Sequence, residues 1–392
     1  MSANPIPLRL PPMPKVADLL RLYGLAAKKQ LSQNFILDLN VTDKIAKVAD
    51  VFDCHVCEVG AGPGSLTRSL LHAGSKHVAA IEIDRRFLPS LEMLESASRG
   101  RLSIHHADIM KFYIPDAFPK ADMVKWESND IPGVRMVGNL PFNVSIPLLL
   151  QWLEAIPQRA GPFTFGRTPM ALVFQKEVAD NIQAPPGDKE CTRLSIMTQY
   201  LCEVNKTYLI PRKVFVPEPK VDAMLLRFVP RVTPLIDAPF VVVEQVVKAN
   251  FSEKRKTIRN SLRNLFPGKP ELLEELLERT GVDSTVRPQE VGFEDYGKIC
   301  QSFIEMSREH DLSITPLRVR KPVPIATEKY KETDANASIA SNTSDPSNAS
   351  TTTNDSSTGD ACSTSNVSNT SNASNTNNAG NVPIYPTNVT NS

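Results

Sequence analysis

The string GNLPFNVS, Gly138 to Ser145, has the residue types for handling an amine. Asn139 offers an amide oxygen that accepts from an exocyclic amino group. Pro141 stiffens the loop and has no N–H to compete, so the turn presents the Leu140 carbonyl as a second acceptor. Two acceptors aimed at one amino nitrogen turn its lone pair toward an electrophile. Phe142 supplies a flat face on which a base can stack. No strong base is required, because the cationic amine formed by alkylation is far more acidic than its precursor. Such chemistry rests on positioning and charge placement. Taken alone, the same string also reads as a strand-ending proline turn.

The electrophile needs a holder. In CEVGAGPGSLT, Cys57 to Thr67, a strand ends at Val59, Gly60, Gly62 and Gly64 follow, and a helix starts near Ser65. The glycines let the backbone turn tightly and approach a ligand. Glu82 ends the next strand, where a carboxylate can accept from both ribose hydroxyls. A nicotinamide dinucleotide and S-adenosylmethionine (SAM) both use a loop and acid of this kind. The spacing G-x-G-x-G is not the phosphate-binding G-x-G-x-x-G, and Glu58, two residues before the first glycine, leans toward SAM. The methyl sulfonium of SAM is an electrophile of the kind the amine site calls for. Asp108 closes a third strand in HHADI and is placed to accept from an adenine amino group.

Two further patterns invite metal readings. His105 and His106 are adjacent on a strand and point to opposite faces, so they read as strand residues rather than as a chelating pair. Cys54-His-Val-Cys57 lacks the second pair that a zinc site needs, so both cysteines read as core thiols. No metal is expected.

The elements that must position these groups alternate. Strands are predicted at Val56–Val59, His77–Ile83, Leu102–His106, Arg135–Asn139 and Met170–Phe174, with helices such as Ser65–Ala73 and Ile146–Leu153 between them. That alternation predicts a parallel sheet covered by helices on both faces. Lys206–Ile210 and Ala223–Phe228 read as a closing hairpin. From about Pro234 only helices are expected, over Phe240–Phe266 and Pro270–Arg279, the second ended by Gly281.

The whole-chain charge of +1 hides an asymmetry, because the segment from Asp334 to Ser392 has four Asp and no Lys or Arg. The body is therefore mildly basic, which fits a polyanion partner. The end segment is dominated by Ser, Asn and Thr and is expected to be disordered. No run of 18 apolar residues occurs, so no membrane-spanning helix is expected. Six scattered cysteines read as reduced thiols of an intracellular protein. Arg9, Lys15, Arg21, Lys28 and Lys29 near the start are compatible with an import segment or with an ordinary basic arm.

QNFILD (Gln33 to Asp38), EVGAGPGSLT, IEID, HHADI, GNLPFNVS, FQKEVADNI and VFVPEPKVDAML occur in the order seen in rRNA adenine dimethyltransferases, which this chain resembles over about residues 8 to 310. The stretches RLPPMPKVADLLRLYGLAAKKQLSQNF and ANFSEKRKTIRNSL resemble the mitochondrial branch of that family. The resemblance implies a Rossmann-like SAM-dependent methyltransferase fold with a small all-helical C-terminal domain. The expected layout is an N-terminal arm over 1–27, a methyltransferase domain over 28–232, a helical RNA-binding domain over 233–320 and the tail over 321–392. It also implies site roles. Asn34 and Ile36 would bracket the methionine part of SAM, Gly60 and Gly62 its backbone contacts, Glu82 and Ile83 its ribose, Asp108 and Ile109 its adenine. Asn139 and Leu140 would hold the target amine, with Phe142 and Phe215 stacking on the two faces of a flipped adenine. Phe142 stands where many bacterial members have Tyr, and stacking survives that change. The implied product is N6,N6-dimethyladenosine at two adjacent adenines in the 3′-terminal hairpin of small-subunit rRNA, made by a monomer in the mitochondrial matrix.

Lys254, Arg255, Lys256, Arg259 and Arg263 lie in one helical pattern, with Arg255, Arg259 and Arg263 on a common face. On charge alone this is a solvated helix face; the resemblance makes it a phosphate-tracking stripe, which Lys28, Lys29, Arg212, Lys213 and Lys220 could extend. Two other function classes compete with the enzyme. One is a ribosome-assembly factor, or a partner of the mitochondrial transcription machinery, that keeps the fold without depending on catalysis. The other is a nicotinamide-dependent oxidoreductase, which leaves NLPF and the basic stretch unexplained.

Overall fold

Runs of small and branched apolar residues form the parallel centre of a seven-stranded sheet. A computed structural model describes residues 9–27, 33–118, 121 and 123–314. The expected tail, Lys28, Lys29 and the first eight residues of the N-terminal arm lie outside them. In chain order the elements begin with α1 (Val16–Leu22), β1 (Phe35–Ile36), α2 (Leu39–Ala49), β2 (His55–Val59), α3 (Ser65–His72), β3 (His77–Glu82), α4 (Leu88–Ala97) and β4 (Leu102–His106). Then follow β5 (Val134–Asn139), α5 (Phe142–Ala155), β6 (Met170–Gln175), α6 (Lys176–Gln183), α7 (Arg193–Gln199), β7 (Cys202–Ile210), β8 (Phe215–Val216) and β9 (Ala223–Pro230). The rest is helical: α8 (Phe240–Asn250), α9 (Ile258–Leu262), α10 (Pro270–Thr280) and α11 (Phe293–Glu309).

The sheet order is β4-β3-β2-β5-β6-β9-β7. Its first five strands are parallel, and β9 and β7 close it as the expected antiparallel pair. The chain runs outward from β2 to β4 and then returns to the other side of β2 with β5. The sheet therefore has a switch point between β2 and β5, the place where open α/β sheets bind ligands beyond the strand ends. The register aligns Val59 with Gly138, so the glycine loop and the NLPF turn leave adjacent strands side by side.

Period-two alternation divides the strand residues between two cores. Val56, Val78, Ala80, Val137 and Val173 pack under α2, α3 and α4, together with Ile45, Leu70 and Leu91. Cys57, Ala79, Ile81, Met136, Leu172 and Phe228 face the opposite way, onto Leu149 and Leu153 of α5. The same cluster continues without a break through Val243 and Val247 of α8, Leu276 of α10 and Ile299 and Phe303 of α11. The switch to helices near residue 233 is thus a change of element type above one shared core. No helix among the described residues is long and apolar enough to cross a membrane.

α10 forms where expected. Pro270 sits in its first turn, Leu272, Leu273, Leu276 and Leu277 are buried, and Gly281 caps it at φ 61°. The predicted helix over Phe240–Phe266 is corrected: it is broken. α8 stops at Asn250, residues 254–257 are not helical, and α9 is only five residues long. The break is tertiary in origin. The Ile258 and Arg259 N–H groups donate to Val286 and Ser284 carbonyls. The buried Asn250 side chain donates to Tyr296 Oη at 2.6 Å and accepts from Ser261 Oγ at 3.0 Å. These bonds substitute for the intrahelical ladder that the sequence pattern suggests.

Candidate active site

The glycine loop is built as its residue types require. Gly60, Gly62 and Gly64 have φ of 72°, 54° and 87°, a region that costs other residues strain. A Cβ on Gly62 would lie 3.2 Å from the Phe35 ring. Glu82 fixes the loop from the neighbouring strand: its Oε2 accepts from the Gly62 N–H at 2.7 Å and its Oε1 from the Asp84 N–H at 2.8 Å. Burial pushes the Glu82 pKa up, opposed by these backbone donors. Glu58 lies beneath the loop, 1% exposed, with its carboxylate facing the hydroxyl and N–H of Thr67, which oppose the effect of burial. Burial raises its pKa to about 8. The Ser65 hydroxyl, also at the loop, is buried and without a partner among the described residues.

The NLPF turn is equally constrained. A Cβ on Gly138 would meet Leu140 Cδ2 at 2.9 Å and the Val59 carbonyl at 3.1 Å. Asn139 Nδ2 donates to the Asn34 carbonyl at 2.9 Å, which assigns its Oδ1 the acceptor role. α5 starts directly after Pro141. On the opposite wall Asp108 Oδ1 accepts from the Met110 N–H at 3.0 Å, and Gln151 of α5 donates to the Met110 carbonyl at 3.2 Å.

The glycine loop, the NLPF turn and the Asp108 wall border one cavity with about 930 Å³ between its walls, counting the part open to solvent. It brings together Asn34, Gly60, Gly62, Glu82, Ile83, Asp108, Ile109, Asn139, Leu140 and Phe142, all expected from the sequence. Its walls fit SAM by their own chemistry. Positive-φ glycines leave a cradle that a side chain would fill, a carboxylate sits at each of two adjacent strand ends, and apolar Ile83 and Ile109 flank them.

Two expected site residues do not line the cavity. Ile36 is 4% exposed and packs in the core against α2, and Phe35, its neighbour, lines the cavity instead. Phe215 is 2% exposed in the same core. The cause is a two-stranded ribbon in which β1 pairs with β8 and Ile36 lies opposite Phe215, so each covers the other. Gln33, Phe35 and Asn143 line the cavity and were not expected from spacing. QNF was visible as a motif, but which of its residues faces the cavity depends on that ribbon.

His105 Nε2 lies 3.1 Å from Ser103 Oγ, while His106 Nε2 contacts the Ile83 carbonyl at 3.2 Å, so the two rings serve different neighbours. Cys54 and Cys57 are buried free thiols; burial pushes the Cys57 thiol far up.

The basic residues are exposed but do not form one helical stripe, which corrects the spacing argument. Lys254 and Arg255 lie in the turn after α8, whereas Arg259 is on α9 and Arg263 just beyond it. Arg259 pairs with Glu274, and Lys254 Nζ donates to the Lys189 carbonyl. Arg212 pairs with Glu218 at 3.0 Å.

A sheet parallel at its centre, with a glycine loop, two strand-end acids and an amide acceptor at its switch point, is the arrangement of a SAM-dependent methyltransferase. The sequence profile described as ribosomal RNA adenine dimethylase matches residues 24–305. The chain is 43% identical to dimethyladenosine transferase 1, mitochondrial, of Xenopus tropicalis, over 83% of this chain and 96% of that one. It is 44% identical to the Homo sapiens protein described in the same words, over 77% and 88%. A crystal structure of a dimethyladenosine transferase from Plasmodium falciparum shares the fold, with a TM-score of 0.53 and 23% identity, over 71% of this chain and 98% of that one. The chain belongs to the ribosomal RNA adenine dimethylase family and is a SAM-dependent rRNA adenine dimethyltransferase.

Proposed function

We propose that this enzyme dimethylates N6 of two adjacent adenines in the 3′-terminal hairpin of mitochondrial small-subunit rRNA, in support of small-subunit assembly. The observation that carries the reading is the pinned Asn139 amide. With Nδ2 committed to Asn34, Oδ1 and the Leu140 carbonyl are the two acceptors for one adenine amino group. Phe142 lies at the same wall of the cavity and offers a stacking face that offsets the cost of taking the base out of its helix. SAM, when bound, supplies an electrophilic methyl group. Gly60 and Gly62 would hold it along its backbone, Glu82 at the ribose and Asp108 at the adenine. The acceptors stabilise the positive charge that develops on N6, and no side-chain base is needed. The mitochondrial setting is supported by the names of the Xenopus and human relatives.

In this reading residues 28–232 do the chemistry and the helices of 233–320 grip RNA. Lys254, Arg255, Arg259 and Arg263 would contact phosphates as scattered exposed cations rather than as a stripe. The test is transfer of labelled methyl groups from SAM to the 3′-terminal hairpin, with digestion to nucleosides. Labelled dimethyladenosine that disappears when the two loop adenines are replaced is the expected result. Label on another nucleoside, or transfer indifferent to those adenines, would overturn the assignment.

A further inference from the structure

Asp84 and Arg86 are absent from the walls of the cavity, yet they are joined to both of its functional halves. The Asp84 carboxylate, almost fully buried, forms a two-pronged pair with Arg86: Nη2 to Oδ2 at 2.7 Å and Nε to Oδ1 at 3.0 Å. That pairing holds the Asp84 carboxyl well below its usual range. The same carboxylate accepts from Gln33 Nε2 at 3.1 Å, and Arg86 Nη1 donates to the Ala26 carbonyl at 3.0 Å. Next to Gln33, Asn34 holds the Asn139 amide, and the Phe35 ring packs edge-on against Phe87 at 5.1 Å. On its other side the Asp84 N–H is bound by Glu82, which also holds Gly62. One chain of bonds therefore runs from the glycine loop through Glu82, Asp84, Gln33 and Asn34 to Asn139.

The strap needs such an anchor. β1 is two residues long and pairs only with the equally short β8, a ribbon too small to be stable alone. Charge-assisted, two-pronged bonds to a buried carboxylate are the strong kind. Without the Asn34 carbonyl in place, the Asn139 amide is free to turn over. It would then present its NH2, a donor, to an amine that needs acceptors.

We infer that Asp84 and Arg86 are positioning residues: they clasp the segment Gln33–Ile36 so that its Asn34 carbonyl keeps the Asn139 oxygen toward the target amine. The inference rests on the amine site proposed above. It predicts that Arg86→Met lowers the methyl-transfer rate at saturating SAM and RNA about tenfold while the KM for RNA changes less than about twofold. Arg86→Lys, which keeps a charge beside Asp84, recovers part of the loss.

The deciding experiment is a double-mutant cycle on the full chain with the hairpin RNA, combined with amide exchange of residues 33–36. If the clasp acts through Asn139, Asn139→Ala with Arg86→Met is no slower than Asn139→Ala alone. Exchange in 33–36 quickens in Arg86→Met while exchange in β2 and β5 does not, which separates the clasp from general loosening. Additive losses, a wild-type rate in Arg86→Met, or unchanged exchange of the strap would each overturn the inference. Wild-type enzyme that leaves the hairpin unmethylated would instead sink the proposed substrate, and the exchange result would still decide whether the clasp exists.

Discussion

At the switch point the functional groups sit on backbone that has little freedom. Gly60 and Asn139 leave strands paired in register, and a Cβ on Gly138 would collide with Val59 and Leu140. Between α8 and α9 the groups proposed to contact RNA are cations on an exposed turn, fixed at its ends. Asn250 bonds Tyr296 and Ser261, and Asn264 Nδ2 donates to Ser252 Oγ at 2.8 Å. The difference matches the two tasks proposed for these regions. Orienting a lone pair demands placement to a fraction of an ångström. Holding a phosphate backbone demands charge within reach, and its energy is spread over many weak contacts. Chemistry and grip should therefore respond separately to mutation.

The largest effect is expected at the acceptor. Asn139→Ala should lower methyl transfer by about a thousandfold, the scale of removing one preorganised electrostatic group. SAM affinity, read by calorimetry, should stay within a few-fold of wild type. A variant that transfers at the normal rate would mean that the amine is held elsewhere. Gly62→Ala tests the cradle. Its φ of 54° and the Phe35 ring at 3.2 Å predict a loss of SAM affinity of about tenfold or more, with RNA binding unchanged. Replacing Lys254, Arg255 and Lys256 together by alanine should weaken RNA binding about tenfold and flatten its salt dependence by roughly two to three counterions. Arg259→Ala should matter less than Arg255→Ala, because Arg259 is already paired with Glu274.

The smallest effect concerns Glu58, buried below the loop with a pKa raised to about 8. An unfolded glutamate titrates near about 4.3. Between those values the folded chain keeps a proton that the unfolded chain has lost, so this group makes stability fall as pH rises through the window. Glu58→Gln removes that dependence. The melting temperature of the variant should exceed that of wild type by a few degrees at pH 8 and match it near pH 4. An equal difference at both pH values would show that Glu58 is not held protonated.

Much of the pocket was legible because its determinants are local. Strand runs such as His77–Glu82, glycines at the strand end and acids one strand apart fix geometry through neighbours in sequence. The misreadings share an opposite cause. Arg255, Arg259 and Arg263 have helical spacing, but Arg255 lies in a non-helical turn, and the Val286 and Ser284 carbonyls take the first N–H groups of α9, where a continuous helix would have bonded them to the preceding turn. Phe215 and Ile36 carry motif positions, but the β1–β8 ribbon turns them into the core. The Asp84–Arg86 clasp left no signal beyond IEID, because its partners Ala26 and Gln33 are brought in by the strap. Long-range bonds decide such features, and spacing along the chain does not encode them.

The separation of chemistry from grip is tested most directly by single-turnover methyl transfer to the hairpin at increasing RNA concentration. The two variants to compare with wild type are Asn139→Ala and the Lys254, Arg255, Lys256 triple alanine. The account predicts that Asn139→Ala loses about a thousandfold in the limiting rate with an unchanged half-saturation point. The triple variant should reach a limiting rate within about twofold of wild type, at about tenfold more RNA. A triple variant that lost its limiting rate, or an Asn139→Ala enzyme restored by more RNA, would contradict it.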